Sequence, residues 1–299
     1  MPVAVLSHIV VDEVADAEGR SVGTSIGGAG AYAAVGAALA GPAGGTALVS
    51  GVGRDDRPLM TAWCAARGIS AEGLFDVGEH SPRTRIQYFA DGERIETPVH
   101  GLDHFHAHTP LPRHIPQGAA PLEGVYLFHD HDPAYWDEVS AFRRSFSGPL
   151  LWEISLDSCR PEHLDAVRGI LREVDVLSIN ATEARMLTGE DDLAAALDRL
   201  GGGVVVLRRG EHGSLLSEGG RRHRIGTAPT PALDPTGGGN SYSGAFLAAY
   251  ARSGDHVAAA TVAAAAAAAV VAAPGAPEVD DALRTAVAAA AGRVPIVRG

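Results

Sequence analysis

A glycine turn in the last quarter of the chain carries the most suggestive chemistry of the sequence. It reads Asp234-Pro-Thr-Gly-Gly-Gly-Asn240 and leads into an apolar segment, up to Tyr250, whose pattern predicts a helix. Glycines let backbone N–H groups converge on one point, and a helix N-terminus adds its free N–H groups and positive dipole end there. Such a turn can bind an anion, and phosphate is the usual one. The alternative is a glycine-rich loop that only turns the chain.

Other candidate residues follow predicted strands, where a parallel α/β sheet meets its ligands. Asp12 comes at the end of the first predicted strand, Val3 to Val11. A second pair of glycines, Gly27-Gly28, opens a small-residue helix that ends at Gly41. These two glycines either admit a ligand against bare backbone or serve only close helix packing.

Four polar residues, His129-Asp130-His131-Asp132, come directly after an apolar strand that starts at Gly124. At a strand end, histidine and aspartate can act as acid–base groups or as metal ligands. Alternatively, the run is a loop in which Asp132 begins the next helix. We take His129 and His131 as candidate substrate contacts.

The composition excludes several kinds of chemistry. All 24 basic residues among the 299 are arginine, so the chain has no lysine for a Walker A motif, a Schiff base or a general base. The net charge of −12 argues against nucleic acid as a partner, because nothing neutralises a phosphate backbone. The two cysteines, Cys64 and Cys159, lack the spacing of a disulfide pair, and the start lacks the charged region of a signal peptide. We expect a cytoplasmic protein with no membrane span.

Predicted strands and helices alternate through almost the whole chain. This order predicts an α/β fold with a mainly parallel sheet that helices cover on both faces. A hairpin predicted over 84–97, around a tight Asp91-Gly92 turn, interrupts the alternation. It indicates strands that project from the main sheet as a lid or a dimer contact. No linker or composition break divides the chain, so we expect one domain over residues 1–299.

Together these motifs resemble the PfkB/ribokinase family of carbohydrate and nucleoside kinases, over essentially the whole chain. Both glycine turns are similar to family signatures, Gly27-Gly28 to the N-terminal one and 234–244 to the C-terminal one. The segment Asn180-Ala-Thr-Glu183 is similar to the family's N-x-x-E segment, which organises magnesium and the nucleotide phosphates. Arg209-Gly-Glu-His-Gly213 resembles the family's turn near the nucleotide, and 272–276 resembles the border of its adenine pocket. The Gly-Gly-Gly-Asn sequence resembles that of a divergent subgroup of the family.

The resemblance implies a ribokinase-like three-layer α/β/α sandwich with a small β lid, formed by about 84–97 and part of 12–26. It implies ATP and Mg²⁺ as cofactors, a sugar or nucleoside as the acceptor, and a homodimer that pairs through the lid. The catalytic turn would comprise Gly237, Gly238, Gly239 and Asn240. The nucleotide and its magnesium would contact Asn180, Glu183 (as the metal residue), Arg209, Gly210, Gly213, Thr236 and Gly275. The acceptor would contact Asp12, Gly27, Gly28, Tyr32, Arg85, His129, His131 and Asp234.

Two residues depart from the family pattern. The last acidic residue of the C-terminal signature is the family's catalytic base, and Asn240 stands at that position. An amide can orient a hydroxyl but has no useful basicity to take its proton. Tyr32 stands where the family often has asparagine, which puts the ordinary sugar pocket in question.

These departures leave three hypotheses. The first is an ATP-dependent phosphotransferase that acts on a hydroxyl of a sugar or nucleoside. The second is a catalytically weak or inactive kinase-fold protein that binds a nucleotide or sugar. The third is a repurposed enzyme, such as a lyase, hydrolase or cyclase, that uses His129 to Asp132 together with Tyr32 and Glu153. We take the first as the leading hypothesis.

Overall fold

The computed structural model describes residues 3–89, 94–116 and 121–298, and the Asp91-Gly92 turn lies outside them. The strands are β1 (Val3–Leu6), β2 (Val10–Ala15), β3 (Ser21–Gly27), β4 (Thr46–Val52), β5 (Ile69–Asp76), β6 (Arg83–Tyr88), β7 (Arg94–Pro98), β8 (Gly124–His129), β9 (Leu150–Ile154), β10 (Val176–Asn180), β11 (Val204–Arg208), β12 (Ser214–Glu218), β13 (Arg221–Ile225) and β14 (Ile296–Arg298). The helices are α1 (Ala29–Ala40), α2 (Arg57–Ala65), α3 (Leu102–Ala107), α4 (Pro133–Arg143), α5 (Leu164–Ile170), α6 (Ala181–Thr188), α7 (Leu193–Leu200), α8 (Gly238–Ser253), α9 (His256–Val271) and α10 (Asp281–Ala291).

Across the described residues, the larger sheet has the strand order β14-β13-β12-β11-β10-β9-β8-β1-β4-β5. From β11 to β5 every neighbouring pair is parallel, and β12, β13 and β14 continue the sheet by antiparallel pairing. The predicted α/β class with a mainly parallel sheet is therefore confirmed.

Both faces of this sheet are buried, which explains the continuous apolar runs in its central strands. In β1, Val3 and Val5 face a core shared with α1, α8 and α9, whereas Ala4 and Leu6 face a second core shared with α4, α5, α6 and α7. The result is three layers, helices over sheet over helices. Within the described ranges, no helix is both long and apolar enough to cross a bilayer.

A second sheet, here called the lid sheet, has the strand order β3-β2-β6-β7. Its β2 runs antiparallel to β3 and parallel to β6, and the register sets Asp12 opposite Thr84. The single first strand expected over Val3 to Val11 is thus wrong, because the chain changes sheet between β1 and β2. At Ile9 the backbone N–H donates to Ser50 Oγ at 3.1 Å instead of to a strand neighbour. The apolar sequence from Val3 to Val11 cannot reveal this break, because the residues on both sides of it are buried.

Helix α8 is held close to α1 by glycines on both helices. It packs between α1 and α9. A Cβ added to Gly36 of α1 would overlap the backbone of Ser241, and one added to Gly244 of α8 would overlap the backbone of Ala33. Backbone thus lies against backbone, which fixes where α8 begins.

Two buried hydroxyl contacts attach the same helix to its neighbours. Ser243 Oγ lies 2.8 Å from Ser178 Oγ of β10, and Tyr242 Oη lies 2.8 Å from Ser214 Oγ of β12. Satisfied polar contacts in a core fix one arrangement of the groups that make them. The start of α8 therefore has a defined position relative to β10, and so to its neighbours β9 and β11.

We predict that Gly36→Ala lowers the free energy of unfolding by about 1–3 kcal/mol, the usual cost of overpacking a core. The added methyl group would force α1 and α8 apart. Gly169→Ala in α5 is the matched control, because its Cβ would meet open space. It should stabilise the protein by about 0.5–1 kcal/mol through helix propensity alone. Denaturant unfolding of both variants checks this, and equal effects would contradict it.

Candidate active site

The glycine turn forms the start of α8. Gly237 precedes the helix with φ 72°, and no side chain of the described residues caps the helix start. The Asp234 carboxylate holds the turn from behind, since it accepts the Thr236 N–H at 2.9 Å and the Gly275 N–H at 3.1 Å. The Gly238 N–H donates to the Pro235 carbonyl at 3.2 Å, so the N–H groups of Gly239 and Asn240 are the ones that remain for an anion.

Tyr32 of α1 forms one wall of this turn. Its ring is almost fully buried and lies directly against Gly237, where any Cβ would overlap the ring. Glycine is therefore required at Gly237 for two reasons: the backbone there is left-handed, and the Tyr32 ring approaches it too closely to leave room for a side chain.

Two cavities flank the turn. The lid cavity, about 530 Å³, is lined by residues that include Asp12, Gly28, Tyr32, Thr84, Thr236 and Asn240. The alanine cavity, about 580 Å³, is lined by residues that include Gly210, Gly213, Gly239, Ala264, Ala267 and Ala268. Pro235 lines both cavities, so the turn separates a space of mixed polarity under the lid sheet from a more apolar space beside α9. Two ligands on either side of the turn would meet at the start of α8.

A buried charge network lies beneath the turn. Glu153 of β9 is 2% exposed. Its Oε1 accepts from Asn240 Nδ2 at 3.1 Å and lies 2.8 Å from Arg208 Nη1 of β11. Its Oε2 accepts from the Tyr126 hydroxyl at 2.8 Å, and burial, reinforced by Glu153, raises the pKa of that phenol well above its ordinary value. Tyr126 therefore stays protonated and donates.

The third glycine of the turn makes room for this network. A Cβ on Gly239 would overlap Nη1 of Arg208. The guanidinium can thus reach Glu153 only because this position has no side chain.

Comparison with known proteins identifies the family. The model of the pfkB family of carbohydrate kinases matches residues 3–283. The chain belongs to the PfkB family. It is 29% identical over 262 residues to a cytidine kinase of Thermococcus kodakarensis, an alignment that covers 84% of this chain and 89% of that one. Kinases of this family use ATP, and the homologues found are sugar and nucleoside kinases.

Solved structures of related kinases share the PfkB chain's fold. The adenosine kinase of Sinorhizobium meliloti superposes with a TM-score of 0.76 at 21% identity, covering 97% of this chain and 99% of that one. An Escherichia coli protein described as a ribokinase II, in complex with ATP and Mg²⁺, superposes with a TM-score of 0.74 at 18% identity, covering 98% and 99%. The ribokinase-like fold expected from the sequence is confirmed.

In this PfkB chain, the predicted magnesium residues form a helix cap. Asn180 Oδ1 accepts the Glu183 N–H at 2.9 Å, and Glu183 Oε2 accepts the Asn180 N–H at 2.8 Å. Burial raises the pKa of Glu183, while Arg208, with Nη2 3.8 Å from Oε2, opposes the rise. Among the described residues, no three His, Cys, Asp or Glu side chains are grouped to hold a metal ion. The pair therefore fits Mg²⁺ only in its usual manner, with waters and substrate phosphates as the other ligands.

The turn predicted to bind the nucleotide, Arg209 to Gly213, lies at the alanine cavity. Gly210 and Gly213 line this cavity with φ values of 56° and 73°, and Arg209 Nη2 donates to the carbonyl of His212 at 2.6 Å across the same turn. Thr236 instead lines the lid cavity. The Gly275 N–H donates to the Asp234 carboxylate, as described above.

The predicted acceptor residues Asp12, Gly27, Gly28 and Tyr32 lie together near the lid cavity. A Cβ on Gly27 would overlap the Asp12 carboxylate, so that glycine allows the carboxylate to lie against the backbone. Arg85 of β6 is exposed and contacts Glu13 at 3.2 Å. These roles as substrate contacts stay predictions, as does that of Asp234, whose carboxylate binds the loop.

His129 and His131 lie apart from Asn240. His129 lines a third cavity of about 520 Å³, stacks on Tyr135 with ring centroids 3.7 Å apart, and lies 2.9 Å from the Asp130 carboxylate. This contact lowers the pKa of Asp130 to about 2. His131 Nδ1 lies 3.0 Å from Ser158 Oγ. Phe105 lines both this cavity and the lid cavity, so the two spaces adjoin. Substrate contact by these histidines stays a prediction.

The sequence-based site prediction missed Arg208 and Tyr126, and it named Glu153 only in the third hypothesis, without connecting it to Asn240. The signal was a single charged residue within each of two short apolar strands, Leu-Leu-Trp-Glu-Ile and Val-Val-Val-Leu-Arg. A charged side chain in a strand with both faces buried needs a partner of opposite charge. Glu153 and Arg208 are the charged residues of two such strands, so they are candidates for an ion pair with each other.

We predict that Gly239→Ala destabilises the protein by about 2–3 kcal/mol, because the methyl group pushes the Arg208 guanidinium away from Glu153 and weakens the buried pair. Gly238→Ala is the matched control, since its methyl would meet only Cγ1 of Val271, at 2.8 Å. Moving one side-chain methyl should cost about 1 kcal/mol. Urea unfolding measures both, and a larger loss for Gly238→Ala would contradict the prediction.

Proposed function

We propose that this protein is an ATP- and Mg²⁺-dependent phosphotransferase that acts on a hydroxyl of a sugar or nucleoside. The observation that carries the proposal is the meeting of two cavities at one anion-binding helix start. The alanine cavity suits a nucleotide base and ribose, since it is largely apolar with a glycine-rich rim. The lid cavity, with Asp12, Thr84 and Asn240 in its wall, suits a ligand rich in hydroxyl groups.

In this arrangement the γ-phosphoryl group lies at the N-terminus of α8. The acceptor oxygen bonds to the γ-phosphorus as the bond to the bridging oxygen of ADP breaks. Such transition states are loose, so positioning and charge stabilisation supply most of the catalysis. The N–H groups of Gly239 and Asn240 supply the stabilisation, and the walls of the lid cavity supply the positioning.

Asn240 orients the acceptor hydroxyl but does not deprotonate it. Loss of a general base typically costs about 10²–10⁴-fold in rate. The hydroxyl proton then leaves late, to an oxygen of the transferred phosphoryl group or to water, after the oxygen–phosphorus bond has largely formed. We therefore expect slow but real turnover.

Glu183 and Asn180 would hold hydrated Mg²⁺ at the phosphates. When bound, the metal neutralises phosphate charge during transfer. The related ribokinase II with ATP and Mg²⁺ and the related cytidine kinase support this choice of cofactors and acceptor class. We also propose a cytoplasmic location and a homodimer through the lid sheet, whose outer strands carry the exposed side chains of Val22 and Ile95.

The proposal is tested by incubating the protein at high concentration with ATP, Mg²⁺ and a panel of sugars and nucleosides. We expect a phosphorylated acceptor and ADP in equal amounts, detected by mass spectrometry and a coupled assay. The absence of any phosphorylated product across the panel would contradict the proposal. Thermal stabilisation by ATP or an acceptor without turnover would instead favour the binding protein that Asn240 also suggests.

We predict that Ala268→Trp raises the KM for ATP about tenfold or more and leaves the KM for the acceptor nearly unchanged. The indole would fill part of the alanine cavity, and a loss of about 1.4 kcal/mol of binding is tenfold. Ala258→Trp is the control, because Ala258 is exposed on the same helix. Equal ATP affinity in both variants, by calorimetry, would place the nucleotide elsewhere.

A further inference from the structure

The carboxylate of Glu153 fixes which way the amide of Asn240 faces. An ionised carboxylate only accepts hydrogen bonds, so the group that Asn240 turns toward it must be Nδ2. The other end of the amide, Oδ1, is therefore turned away from Glu153. Asn240 also lines the lid cavity, so Oδ1 is the atom of this side chain that can accept a hydroxyl there.

The carboxylate itself is held rigidly. Arg208 and Asn240 meet at Oε1, and Tyr126 binds Oε2. Three donors on a side chain that is 2% exposed leave it little freedom to turn. A hydrogen bond to an ionised acceptor is shorter and stronger than a neutral one, and it polarises the donor amide.

We propose that Glu153 is a positioning residue for phosphoryl transfer: it holds and polarises Asn240 so that Oδ1 faces the acceptor hydroxyl. This inference rests on the function proposed above. Glu153 touches no substrate in this arrangement and acts only through Asn240. The alternative is that Glu153 and Arg208 form an ion pair that serves only the core.

The same geometry explains why an amide stands at Asn240. A carboxylate there would lie at hydrogen-bond distance from Glu153, and two carboxylates that share a site cannot both ionise. One carboxylate and one amide can form the hydrogen bond between these two side chains, whichever of the two positions carries the carboxylate. Exchanging the two groups should therefore restore what either single change destroys.

The test compares Glu153→Gln, Asn240→Asp and the double variant Asn240→Asp/Glu153→Gln. We expect each single change to lower kcat about 10–100-fold, since a small misplacement of a reacting group costs about that much. The KM for ATP should hardly move. The double variant should be at least tenfold faster than either single variant. Because its new carboxylate could also act as a general base, the loss of kcat in Glu153→Gln is the result that carries the positioning role. Asp175→Asn is the control, because Asp175 pairs with Arg143 at 3.2 Å, outside the residues assigned to the site, and should leave kcat unchanged.

A second measurement does not depend on turnover. In Asn240→Asp the two carboxylates compete, so one of them takes up a proton in the folded state at a higher pH than in the unfolded chain. The variant should therefore come closest to the wild type in stability near pH 4, about the pKa of an unfolded carboxyl group, and lose stability relative to the wild type as the pH rises to 8. The double variant, with one carboxylate, should lack this dependence. Unfolding curves at several pH values give the comparison. If Asn240→Asp folds near pH 4 and is too unstable to fold at pH 8, that is also the expected result.

The outcomes separate the two proposals. If the folded double variant is no faster than the slower single variant, the positioning role is wrong and the pair is structural. If no stability difference between Asn240→Asp and the wild type changes with pH, the two side chains are not coupled, and the inference fails. If the wild type turns over no acceptor at all, the proposed function fails, while the pH comparison still decides whether Glu153 controls Asn240.

Discussion

The buried ion pair between Glu153 and Arg208 is the interaction on which the candidate site depends. Two charges removed from water are tolerated only where good geometry and further hydrogen bonds compensate for the lost hydration. The sheet provides the geometry, because the central strand β10 lies between the two. Glu153 is the register partner of Ser178, and Arg208 is the register partner of Asn180. The small Ser178 side chain stands between the charged strands and binds α8 instead.

The pair also constrains the helix above it. Arg208 fits only if Gly239 has no side chain, and α8 reaches that position only if its glycine contact with α1 stays close. Gly36 and Gly244 thus serve the site from a distance, through the placement of one helix. The anion-binding turn, the helix packing and the buried charges form one connected requirement.

The sequence predicted much of the fold and part of the site, for physical reasons. Hydrophobic periodicity is local, so the alternation of strands and helices and the helix after the glycine turn could be predicted. The change of sheet after Leu6 could not be predicted, because a buried strand has the same apolar sequence pattern in either sheet. The pairing of Glu153 with Arg208 was missed because the two residues lie far apart in the chain, and only the strand order brings them together. Sequence order likewise could not show that His129 faces a different cavity from Asn240.

The charge balance explains why an acidic residue would be unfavourable at the start of α8 in this chain. A bound phosphate is held there by N–H groups and by the positive end of the helix dipole. Arg208 already balances the charge of Glu153, so the pair beneath the turn adds no net repulsion toward an anion. The dipole would favour a further carboxylate at Asn240, but that carboxylate would lie against Glu153 and compete with it for the same donors. The amide is therefore the group that fits at the start of α8, because the neighbouring strand β9 already places the Glu153 carboxylate at hydrogen-bond distance from it.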